Sequence, residues 1–336
     1  MQGRLEHSLK TQNNINNILL NCPSYLSDYY YNLAVSTEPK TCENYLRKIK
    51  GFLSFVNSDL FQIKLTEIDD VIISRYFISI QKKEVKENNQ IKIKPTSFSY
   101  QKGIWTALNS FFKYLKSKKY IEDNPVELIN RPKHNDYTEK YFLTADDLKL
   151  IINSIKNGVG NDNAKKKQEK WKERDLAIIT LFMNTGMRRT ALSEINIGDV
   201  DFVNKTLTII DKRHTTHVYP LNNNMETNLK KWIVKRKELI GDNEQDALFI
   251  STKRSRISEK AIYNLVQKYT EDALGIKLSP HKLRAAFCSI LYEQTHDIEF
   301  VRKAVGHQNI ITTTKYICSK DDSRKNAISI MEQLLS

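Results

Sequence analysis

Acidic side chains are in short supply here. The 336-residue chain carries 39 Asp and Glu against 53 Lys and Arg, a formal net charge of +14, so an acidic partner is expected. Nucleic acid fits that description best. A membrane surface is the rival, but basic membrane binders carry an amphipathic helix with aromatics at its apolar edge, and no stretch has that form. Long apolar runs are also missing: Leu176 to Leu181 is typical, far below the ~20 residues of a bilayer span. The polar start, Met1 to Lys10, holds no signal-peptide core. The cysteines, Cys22, Cys42, Cys288 and Cys318, show neither close pairing nor metal-ligand spacing, which reads as free thiols in the cytoplasm. Clustered carboxylates, which a two-metal nuclease needs, are absent as well, and no cofactor or metal is expected.

What is there divides the chain in two. Residues 1–22 are rich in Asn and Gln without periodicity and read as a loose tail. Residues 23–130 read as a small helical domain of four helices. The second is the clearest, with Leu46, Ile49, Phe52 and Leu53 at helical spacing; a third is expected to start at a Thr66 cap, and a fourth to carry Ile104, Leu108, Phe111 and Leu115 on one face. Between the last two, Gln81 to Thr96 reads as a lysine-rich loop. Arg131 to Asp136 has the composition of an extended linker, placed at 131–140. Residues 141–336 then form a second domain, whose helices flank a strand pattern at Val200–Phe202, Thr206–Ile210 and His217–Leu221. Gly158 to Lys170 reads as a solvated loop, and residues 325–336 as a short terminal helix.

Chemistry concentrates in a few places. Leu176 to Met183 is strongly apolar and runs into Thr185-Gly186-Met187-Arg188-Arg189. Arginine is rarely buried unless paired, so an anion is expected at that corner. Lys212 falls in the hairpin turn between two strands. Pro280-His281-Lys282-Leu283-Arg284 sets His281 and Arg284 three residues apart on one helical face. Val305-Gly306-His307 and Thr312-Thr313-Thr314-Lys315-Tyr316 follow. A set of guanidinium, imidazole and phenol groups suits chemistry on phosphate. Taken singly each residue has a blander use: Tyr316 as a packing residue, His307 as a helix cap, Lys212 as an ordinary turn lysine. Arg189 competes with Arg188, and only the spacing after Thr185-Gly186 separates them.

Taken in order, T-G-M-R at 185–188, the hairpin lysine at 212 before Y-P-L at 219–221, H-K-L-R at 281–284, G-H at 306–307 and a tyrosine nine residues later resemble the tyrosine recombinase (lambda-integrase-like) family. The resemblance implies an all-α core-binding domain followed by a mainly α catalytic domain with a small antiparallel β-sheet. It implies a site-specific recombinase in which Arg188, Lys212, His281, Arg284 and His307 activate a phosphodiester and Tyr316 is the nucleophile. It also implies double-stranded DNA as partner, a homo-tetramer on that DNA, and a terminal helix at about 325–336 that packs on a neighbouring subunit. One residue departs from the pattern. The family usually has an acidic side chain three positions after its first arginine, where this chain has Ala191. Glu194 stands six positions after Arg188, which is not the spacing of a shared helical face.

Two other readings remain open at this level. A type IB topoisomerase uses a similar residue set to relax supercoils as a monomer. A catalytically inactive DNA-binding regulator is the second, suggested by Ala191.

Overall fold

The computed structural model describes residues 2–87, 90–132, 142–210, 215–241, 246–307, 309–310 and 313–314. In chain order the elements are α1 (Gln2–Leu19), α2 (Ser24–Ala34), α3 (Pro39–Val56), α4 (Asp70–Ser79), β1 (Lys82–Glu87), β2 (Gln90–Pro95), α5 (Phe98–Ser117), α6 (Ala145–Asn157), α7 (Asp162–Glu169), α8 (Lys172–Thr185), α9 (Arg189–Glu194), β3 (Val200–Asp201), β4 (Thr206–Ile210), β5 (Thr216–Pro220), α10 (Asn223–Ile240), α11 (Glu259–Leu274), α12 (Pro280–Thr295) and α13 (Ile298–Val305). The chain divides into two compact units, 1–138 and 139–336. Most of the expected linker and all of the terminal segment 325–336 lie outside the described residues.

In the first unit, helical stripes meet around aromatic rings. Leu46, Ile49, Phe52 and Leu53 of α3 are fully buried, as are Ile104, Leu108, Phe111 and Phe112 of α5. Phe52 meets Tyr76 of α4 edge-on at 5.2 Å between centroids, and Tyr29 of α2 meets Phe111 at 5.2 Å. Each such pair contributes roughly 1 kcal/mol beyond the area it buries.

Three expectations are corrected here. The supposed tail at 1–22 holds a helix, α1, which buries Thr11, Ile15 and Ile18 along one narrow stripe and donates from Asn14 to the buried Glu43 of α3 at 3.1 Å. The lysine-rich loop is the antiparallel hairpin β1–β2, with Lys83 opposite Lys94 and Glu84 opposite Ile93. α4 is capped not by Thr66 but by Asp69, whose carboxylate accepts from the Ile72 amide at 2.8 Å.

The second unit is built around α8. Ala177, Ile178, Ile179, Leu181 and Phe182 are all buried, with α6, α10 and α12 packed against this helix. Such all-round burial is why its sequence shows an apolar run instead of a stripe. The sheet has the order β3-β4-β5 and is antiparallel throughout. The Gly158 to Lys170 stretch, expected as a loop, contains α7. That helix has no buried residue and is held by the Asn161 cap and by Gln168, which donates to the Val159 carbonyl at 2.6 Å and accepts from its amide at 3.1 Å. Among the described residues no helix is long and apolar enough to cross a membrane.

Candidate active site

The site begins where α8 stops. Gly186 takes the left-handed conformation (φ 57°), and a Cβ there would lie 2.5 Å from the Phe287 ring of α12, so both backbone and space require glycine. Thr185 turns its hydroxyl back to the Leu181 carbonyl at 2.7 Å and accepts from the Met187 amide at 3.2 Å. The chain leaves this corner extended, with Arg188 as the N-cap residue of α9.

Arg284, one turn into α12, is 2% exposed. Its guanidinium donates to the Gly186 carbonyl and, at 2.8 Å, to the Val305 carbonyl. One buried cation therefore ties the α8 corner to the end of α13. Both of these acceptors are neutral, so the bonds fix the group without cancelling its charge.

At that second corner Gly306 (φ 66°) ends α13; its amide donates to the Lys303 carbonyl and the His307 amide donates to the Arg302 carbonyl, the paired bonds of a Schellman turn. This turn buries His307, whose Nδ1 is 3.0 Å from the Thr313 hydroxyl. Burial first, then Arg284, Arg188 and Arg302, lower its pKa from 6.5 to about 4. The imidazole is neutral at physiological pH. His281, in the first turn of α12, keeps an open side, and its pKa is also lowered, by burial and then by Arg189, Arg284 and Arg188, with Glu259 opposing them.

A cavity lies between these corners. Arg188, Arg284, Ala191, Glu194, Ile210, His217, Tyr219 and Val305 are among the residues that line it. Arg188 and Arg284 share this cavity; His281 and His307 do not line it but lie within reach of the charge of both arginines, and Glu194 faces the same space as Arg188 despite its six-residue offset. The two adjacent arginines part in space: Arg188 lines the cavity, whereas Arg189 bonds the carboxylate of Glu259 at 2.8 and 3.1 Å. Lys212 and Tyr316 lie outside the described residues.

The motifs gave His217 no role and included Tyr219 only as part of Y-P-L. The hairpin register shows why they belong. Ile209 pairs with His217 and Leu207 with Tyr219, and directly opposed residues share a face, so the buried Leu207 and Ile209 of β4 define an inward face on β5. The ring of His217 closes on Gly306, where an added Cβ would sit 2.7 Å from its Cε1.

Known proteins resemble this chain. Residues 141–323 match the model of the phage integrase family. The tyrosine recombinase XerC of Caldanaerobacter subterraneus subsp. tengcongensis is 33% identical over 228 residues, 66% of this chain and 60% of that protein; the matched stretch thus spans about three-fifths of that relative. Among solved structures, the XerH site-specific recombinase bound to palindromic difH superimposes with a TM-score of 0.64 at 22% identity, covering 88% of this chain and 80% of that one. A lambda integrase in a tetramer bound to a Holliday junction gives 0.61 at 20% identity, covering 88% and 77%. Likeness at such identities speaks for the fold, here a helical protein with a small three-stranded antiparallel sheet. With the family match spanning more than half its length, the chain belongs to the phage integrase family, the tyrosine recombinases.

Proposed function

We propose that the protein is a site-specific DNA recombinase that cuts and rejoins strands through a 3′-phosphotyrosyl intermediate. The observation that carries this reading is the convergence of Arg188, Arg284, His281 and His307, from three separate stretches, on one corner of the second unit. Two guanidinium groups and imidazole donors offset the negative charge that gathers on the nonbridging oxygens of a phosphodiester in its transition state.

The Tyr316 phenol attacks the phosphorus, the P–O5′ bond breaks, and the energy of the broken bond is kept in the new P–O link to tyrosine. Lys212 gives a proton to the departing 5′-oxygen. The phenolic proton passes to a neutral imidazole, for which His281, open on one side, is suited. Reversal with a new 5′-hydroxyl rejoins the strand. Sequence neighbours support both roles: Ile210, two residues before Lys212, lines the cavity, and Thr313 stands three residues before Tyr316. Thr313 is itself bonded to His307.

Double-stranded DNA is the partner in this reading, and net charge +14 makes affinity fall steeply with salt. Four protomers bind two sites, exchange strands through a Holliday junction and act in the cytoplasm. Residues 325–336 pack on the next protomer and close the ring; their deletion abolishes assembly on DNA, and unchanged assembly refutes the exchange. A nicked suicide substrate tests the chemistry. A covalent protein–DNA band that vanishes in Tyr316→Phe is expected, and its absence from the unaltered protein overturns the proposal. Strand transfer between two marked duplexes separates recombination from simple relaxation.

A further inference from the structure

Two adjacent arginines reach the start of α9, yet a single scissile phosphate needs only one there. α9 is six residues long and has no side-chain cap bond at its N-terminus, where the helix dipole disfavours a cation. Arg189 is nonetheless held, by both Nε and one terminal nitrogen, on a single carboxylate oxygen of Glu259, the first residue of α11. The opposite end of α9 is anchored separately. Arg256 donates to the Ser193 and Ile195 carbonyls, each at 3.2 Å, and to the Asn196 side chain at 2.6 Å. Residues 256–259 thus grip both ends of the short helix that presents Arg188.

We propose that Glu259 is a positioning residue of the catalytic centre: it holds Arg189 away from the DNA phosphate, so that Arg188 alone joins Arg284 on the reacting group. This rests on the recombinase reading above. In place of a carboxylate at position 191, next to the arginine it would steady, the chain uses one from a distant helix to restrain the competing guanidinium. Among the described residues the charged groups facing His281 are Arg189, Arg284 and Arg188, with Glu259 opposing them. Removing that charge leaves three cations against the imidazole and drives its titration further down; removing Arg189 as well returns it.

The full-length protein is compared as unaltered chain, Glu259→Gln, Arg189→Met and the double variant. Arg256 keeps its three bonds in all of them, so α9 remains anchored. In Glu259→Gln the single-turnover cleavage rate on a suicide duplex falls about tenfold through misplacement of the phosphate, while duplex affinity is kept or rises. The freed guanidinium adds a contact, so the slope of log affinity against log salt steepens by about one. In the double variant rate and slope both return to within about threefold and a few tenths of the unaltered values, respectively. The His281 Cε1–H resonance, followed by NMR in free protein, titrates at lower pH in Glu259→Gln and recovers in the double variant.

A Glu259→Gln protein that matches the unaltered one in rate, slope and titration overturns the proposal. So does a double variant as slow as Glu259→Gln, which would make the pair a structural brace only. Slope and titration are read without covalent chemistry, so they still decide the point if the unaltered protein forms no phosphotyrosyl adduct and the recombinase reading itself fails.

Discussion

The first unit is held by broad apolar faces: α3 and α5 bring fully buried stripes to a cluster of edge-packed rings. The candidate site in the second unit depends instead on helix ends, where two left-handed glycines, one buried guanidinium and a few carbonyls set the positions of Arg188, Arg284 and His307. The first arrangement spreads its free energy over many contacts, so each can relax a little when one is lost. The second concentrates position in a handful of polar bonds. Damage should therefore appear as lost stability in one unit and as lost activity in the other.

The sharpest test of that contrast is a pair of substitutions. Phe52→Ala should lower stability against urea by about 4 kcal/mol through the cavity it opens, while cleavage per bound duplex stays near the unaltered rate. Arg284→Met should cost about 3 kcal/mol, because two buried carbonyls lose a charged donor, and should reduce cleavage about a thousandfold or more. Equal effects of the two changes on cleavage would erase the distinction.

Acidity probes the same corner. The folded pKa of His307, about 4, lies below its ordinary 6.5, so the unfolded chain takes up the proton first as pH falls. The stability contribution is complete above pH 6.5 and is lost progressively toward and below pH 4, about 3 kcal/mol in all. Comparing urea midpoints of unaltered and His307→Asn proteins across that range checks it: only the unaltered protein should show this component.

Gly306→Ala gives the smallest change in stability, about 1 kcal/mol from the left-handed backbone. It should nonetheless slow cleavage about a hundredfold by moving His307. Adding His217→Ala removes the 2.7 Å approach but not the backbone strain, so partial recovery is expected. Full recovery would mean that space alone makes glycine necessary at 306.

The same contrast explains what could be read from the residues. α3 and α5 were legible because their stripes are wide and contain aromatics. α1 was not, since Ile15 and Ile18 are nearly alone on its buried side amid asparagines. α7 has no buried side at all, and the β1–β2 hairpin alternates lysine and glutamate with isoleucine and valine, which conceals a period of two under charge. In the site, Arg188, His281, Arg284 and His307 could be named because each sits at a fixed spacing from a glycine, proline or threonine that shapes its own corner. His217 and Glu259 could not. Their part depends on strand register and on a contact 70 residues away in sequence, and neither leaves a local mark.

The buried imidazole of His307 has a consequence for the order of events. Burial and, after it, the charges of Arg284, Arg188 and Arg302 hold this ring neutral; a phosphate docked between the arginines brings a countercharge that offsets their share and makes the ring more basic. Near pH 6 the protein should then take up a proton from buffer as it engages a duplex, an exchange measurable as a binding heat that varies with the buffer's ionisation enthalpy. His307 would then be charged by the substrate's own arrival, and its positive charge would join those of the arginines only after a phosphate is in place.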